Sequence, residues 1–198
     1  MRYQRIILPL LLMLGSSTQG LAGSNSLSLT VRTTVTASTC TAELRNAQDQ
    51  HATMIDLGDV YLNELTSKSK YQGFSLAFSN CEGLFKHQAS VTLAPQTGCD
   101  GVSSTGAAFR NALPASDSAA AMGVSMEVWT THQPEGPGSV QLNCKTTPTQ
   151  TVDVSQASGS NITRWPLSAR AVIAADSTIA DVRAGKFSTN AVFTVTYE

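Results

Sequence analysis

The stretch Gly185-Lys-Phe-Ser-Thr-Asn-Ala-Val-Phe-Thr-Val-Thr-Tyr197-Glu198 decides the fold class. Phe187, Thr189, Ala191, Phe193, Val195 and Tyr197 take every second position, with mostly polar residues between them. Successive side chains of an extended strand point to opposite faces, so a period of two predicts a strand with one apolar face. The β-branched and aromatic residues that dominate it pack well on a pleated surface.

The same habit recurs upstream. Phe74, Leu76 and Phe78 alternate before Cys81, and Val91 and Leu93 before Pro95. Val124, Met126 and Val128 precede Trp129, and Leu167, Ala169, Ala171 and Ile173 repeat the pattern. Near the start, Leu27, Leu29, Val31, Thr33 and Val35 alternate with Ser28, Thr30, Arg32 and Thr34. Between these runs lie segments rich in Gly, Pro, Asn, Asp and Ser: Thr97–Gly106, His132–Gly138 and Ser155–Asn161. Short alternating strands spaced by such turns predict an all-β sandwich. Ala107–Met122 is Ala-rich and predicts a short helix or an irregular excursion. A length of 198 residues suits one ordinary domain. Charged residues make up only 14% and the net charge is −1, so there is no clustered basic face to attract nucleic acid.

The first residues read as a secretory signal, residues 1–22. Arg2 and Arg5 supply a positive start, Ile6–Leu14 an apolar run, and Gly15, Ser16, Ser17, Gly20 and Ala22 the small residues that follow. The apolar run is too short to span a bilayer. The chain has four cysteines, Cys40, Cys81, Cys99 and Cys144. An even number in an exported chain predicts two disulfides, and three pairings are open. No CxxC or Cys/His spacing suggests zinc, and no metal or other cofactor is expected.

Three features converge on one family. They are the alternating arm ahead of Cys40, the run Phe74-Ser-Leu-Ala-Phe-Ser-Asn-Cys81, and the ending from Gly185 with its penultimate Tyr197. Together they resemble the fimbrial pilins of the chaperone–usher pathway. The resemblance implies a Cys40–Cys81 disulfide; a Cys99–Cys144 pair would depart from the family's simplest pattern. It implies an incomplete immunoglobulin-like sandwich of six strands, the seventh supplied by a chaperone or a neighbouring subunit. Residues 23–37 would be a donor-strand extension, carrying Leu27, Leu29, Val31, Thr33 and Val35 into a neighbour's groove, and residues 38–198 the pilin domain. Gly185, Phe187, Phe193, Val195 and Tyr197 would form the acceptor groove and the chaperone-binding strand. Family arms often carry a glycine on the inserted face; this arm has none between Leu27 and Val35. The implied partners are a periplasmic chaperone, an outer-membrane usher and neighbouring pilin subunits. The implied location is a fimbrium, reached through the periplasm.

Enzyme readings fare poorly. His51, His87 and His132 are scattered, and Asp56 and Asp59 of the Ile55–Val60 segment, read as a strand ending in a turn, have no third catalytic partner. No phosphate loop, HExxH or GxSxG motif occurs. A second functional reading is a minor or tip subunit that binds a host glycan or protein receptor. Its surface would comprise Trp129, Trp165 and the Thr97–Gly106 and His132–Gly138 loops.

Overall fold

The structure is a computed structural model and describes Thr33 and residues 37–198. The expected signal and the arm residues Leu27, Leu29, Val31 and Val35 lie outside the described residues; Thr33 is exposed. Eight strands follow in chain order: β1 (Thr39–Arg45), β2 (Tyr71–Glu82), β3 (Gln88–Pro95), β4 (Phe109–Arg110), β5 (Val124–Trp129), β6 (Gln150–Asp153), β7 (Thr163–Ile173) and β8 (Ala191–Tyr197). One short helix, α1 (Leu62–Ser67), lies between β1 and β2. The strands form two antiparallel sheets, ordered β1-β2-β7-β5-β4 and β6-β3-β8. Six strands of six residues or more carry these sheets, and the short β4 and β6 extend their edges. This is an immunoglobulin-like sandwich, with no cis peptide bond among the described residues.

The inner faces follow the sequence alternation. Phe74, Leu76 and Phe78 of β2, Val91 and Leu93 of β3, Val128 of β5 and Leu167 and Ala169 of β7 share one core. Burying a side chain of this size contributes about 1.5–3 kcal/mol. The middle of β7 is buried on both faces. Its outer row of Ser168, Arg170 and Val172 is as inaccessible as its inner row. Beside Arg170 lie the β5 side chains Glu127 and Trp129 and the loop residue Glu135. Alternation shows one apolar face of such a strand but not what covers the other.

Disulfides join Cys40 to Cys81, across the β1–β2 pair, and Cys99 to Cys144. The second lies in the core and ties the turn after β3 to the chain after β5. Asp100, also buried, fixes that turn by accepting hydrogen bonds from the Ala108 and Ala175 amides at 3.1 and 2.8 Å. Ala107–Met122 is an irregular excursion that contains β4 and no helix. The terminal strand is shorter than the alternation suggests. Residues 186–188 bond elsewhere: the Asn111 side chain holds the Lys186 carbonyl and the Ser188 amide, and the Ala112 amide donates to the Ser188 carbonyl. Those bonds draw the backbone out of the sheet until Ala191. The Ile55–Val60 segment also carries no strand assignment among the described residues.

Candidate functional site

The candidate site is built on β8. This strand pairs with β3 in unbroken register from Ala191↔Pro95 to Tyr197↔Ala89. It is the last strand of its sheet among the described residues. In an antiparallel ladder, alternate residues bond the same neighbour. The Glu198 amide donates to the Gln88 carbonyl, and the Asn190 carbonyl accepts from the Gln96 amide. Even-numbered residues therefore face β3, and the backbone groups of Phe193, Val195 and Tyr197 face the free edge. Exposed strand backbone of this kind is a template for another strand.

Side chains reinforce that edge. Phe193, Val195 and Tyr197 pack against the core, yet each is only half-buried, whereas Val91 and Leu93 on the neighbouring β3 are 1% and 3% exposed. Burial raises the Tyr197 phenol above its ordinary pKa, and its hydroxyl donates to the Cys40 carbonyl at 3.4 Å. At the end of the strand, Glu198 meets Lys86 at 2.6 Å, which holds the Glu198 carboxyl below its ordinary pKa.

The structure thus brings Phe193, Val195 and Tyr197 into one row. Gly185 and Phe187 lie before the strand, outside that row. Gly185 is needed there for another reason: a Cβ would stand 2.5 Å from the Ala120 carbonyl carbon. Only glycine allows the 119–121 and 185–186 backbones to approach so closely.

The sequence reading missed two apolar residues at the same core. Ile55 and Leu57 pack half-buried against it. They alternate with exposed Met54 and Asp56, and the Asp56 carboxylate accepts the Gly58 amide in a local turn. From Thr53 to Val60 no backbone group is bonded to another backbone group among the described residues. The Ile-x-Leu alternation was the available signal for this segment.

Other candidate residues do not converge. His51, His87 and His132 are all exposed, and no group of His, Cys, Asp or Glu among the described residues is arranged to hold a metal. Trp165 packs against the core, whereas Trp129 lies on the opposite face of the same sheet. There Trp129 sits under the Arg170 guanidinium, 5.4 Å from ring centroid to carbon, and donates from Nε1 to Glu127. The two tryptophans share no surface.

The described residues thus form an immunoglobulin-like sandwich in which β8 is an edge strand with a partly exposed apolar row. Comparison with known proteins identifies the family. The fimbrial protein family profile matches residues 26–198, and the chain belongs to that family. It is 41% identical over 176 residues to the uncharacterized fimbrial-like protein YadL of Escherichia coli K12, covering 89% of this chain and 86% of that protein. Among solved structures, the P pilus rod subunit PapA aligns at 16% identity and a TM-score of 0.47, over 79% of this chain and 99% of PapA. The CupB6 tip adhesin from Pseudomonas aeruginosa aligns at 16% identity and a TM-score of 0.50, over 72% of this chain and 35% of the adhesin, and shares its fold. The family is one of fimbrial proteins and not of enzymes. Membership implies a place in a surface fimbrium and interaction with other pilin subunits.

Proposed function

We propose that this chain is a structural fimbrial subunit that polymerises by donor-strand exchange for surface adhesion. The observation that carries the reading is the free edge of β8, with an incompletely buried row of Phe193, Val195 and Tyr197 and backbone groups facing away from β3. An added strand would pair with that backbone and cover that row. Pilin donor-strand complementation is the handling of such an edge known for this class of proteins. Ile55 and Leu57 would flank the added strand on its other side.

The arm Leu27, Leu29, Val31, Thr33 and Val35 has the matching alternation, and the family match, beginning at residue 26, takes it in. Its four aliphatic anchors would supply a gross apolar term of about 10 kcal/mol before the costs of ordering and association. A shift of one residue would turn Ser28, Thr30 and Arg32 inward, so register is strongly specified. On this reading a signal at residues 1–22 directs export to the periplasm. A chaperone strand occupies the β8 edge there, and an outer-membrane usher exchanges it for the arm of the next subunit. Removing residues 24–37 leaves a domain that still binds chaperone and is no longer added behind another subunit. Normal polymerisation of the truncated chain would refute the proposal.

A further inference from the structure

We infer that the β2–β3 turn carrying Phe85 docks into a cleft at the opposite pole of a second copy of this chain. The inference rests on the donor-strand reading above. Phe85 is 90% exposed, the highest value among the large hydrophobic residues described. Its turn is nevertheless well anchored. The Lys86 amide donates to the Glu198 carbonyl, Lys86 Nζ meets Glu198 Oε2 at 2.6 Å, and Ser38 Oγ donates to the Gly83 carbonyl at 2.6 Å. An ordered turn that presents an aromatic side chain to solvent has the form of a docking knob.

Chain length says where that knob goes. Only three residue steps separate Val35, the last arm anchor, from Ser38, which touches the turn. An extended chain spans about 3.3–3.6 Å per residue, so the turn is held within roughly 11 Å of wherever Val35 ends. Every strand pair in this domain is antiparallel. An arm that continues the β6-β3-β8 sheet in the same manner runs antiparallel to β8 and brings Val35 to the Ala191 end.

That end carries a cleft of about 610 Å³, lined in part by Leu113, Met122 and Val124 and by Arg110. Arg110 donates from Nε to the Thr97 carbonyl; its two terminal nitrogens have no hydrogen-bond or ionic partner among the described residues. Glu82, three positions before Phe85, is exposed and likewise forms no ion pair among them. The knob thus offers an exposed aromatic ring and, three positions earlier in the chain, an exposed carboxylate; the cleft offers apolar side chains beside a guanidinium. A contact between different surfaces of two copies is head-to-tail and propagates along a fibre.

The test uses two full-length copies joined by donor-strand exchange. Spin labels on the two domains report the distance distribution between them, and hydrogen exchange reports protection of β8 in the receiving copy. The expected result is a narrow distribution for the native pair and a broad one for Phe85→Ser, with β8 protected in both. Glu82→Arg and Arg110→Glu each broaden it, and a pair carrying both substitutions narrows it again. Unchanged distributions for Phe85→Ser, with β8 protected, would overturn the docking inference alone. An unprotected β8 in the joined native pair would overturn the donor-strand reading beneath it.

Discussion

Phe193→Ala separates the two contributions that β8 makes to this protein. Phe193 is half-buried against the core. Truncating a fully buried Phe costs about 3–5 kcal/mol. Half of that, roughly 1.5–2.5 kcal/mol, is the expected cost when no strand lies over β8. Once the arm covers the row, Phe193 becomes a core residue and the full cost applies. The comparison requires two chains: one lacking residues 24–37, and one in which those residues follow Glu198 through a short linker and fold back along β8. Denaturant unfolding with linear extrapolation gives the stability of each. Val192→Ala is the control, since Val192 is 42% exposed on the outward face, and a change there should stay within about 0.5 kcal/mol. Phe193→Ala should therefore cost about twice as much in the rearranged chain as in the shortened one. Equal costs in the two chains would refute the claim that an added strand completes this face.

Further predictions concern the rest of the scaffold. The Arg170 guanidinium donates to Glu127 and Glu135, and Glu127 is 14% exposed in its side chain, so Arg170→Met strands a largely buried carboxylate. The expected cost is about 3–5 kcal/mol in urea unfolding, largely recovered by adding Glu127→Gln. The hydrogen bond from Arg170 holds the Glu135 carboxyl below its ordinary pKa. A lowered folded-state pKa gives stability that is present above the unfolded value of about 4.3 and lost as pH falls through the folded value. The stability difference between native chain and Glu135→Gln should accordingly shrink in that acid window and be flat near neutrality. Replacing Cys99 and Cys144 together by Ala opens a loop with a sequence separation of 45 and should cost about 2–4 kcal/mol by thermal unfolding. It should leave arm binding intact, because neither cysteine is on β8.

Much of this molecule was legible in its sequence because alternation is a local property. The Phe74–Phe78, Val91–Leu93, Val124–Val128, Leu167–Ile173 and Phe193–Tyr197 runs all lie on strands, and most of their apolar residues, among them Phe74, Leu76, Phe78, Val91, Leu93, Val128, Leu167 and Phe193, meet in one core. The Cys40–Cys81 disulfide implied by family resemblance is present, and the other two cysteines form the second bridge. What escaped was set by distant partners. Phe187 and Thr189 continue the alternation of β8, yet Asn111 and Ala112 take their neighbours' backbone groups. The ionic cluster around Arg170 depends on β5, β7 and the loop at Glu135 meeting in space, which spacing along the chain does not encode. Ile55 and Leu57 were overlooked as site residues because the turn made by Asp56 and Gly58 interrupts a very short apolar alternation.

The most direct test of the central claim is hydrogen exchange at the Phe193, Val195 and Tyr197 amides, which face away from β3. It would be measured on the chain lacking residues 24–37, before and after adding a peptide of that sequence. The account predicts rapid exchange without the peptide and strong protection of these three amides with it. Protection that is already complete without the peptide, or exchange that the peptide leaves unchanged, would contradict it.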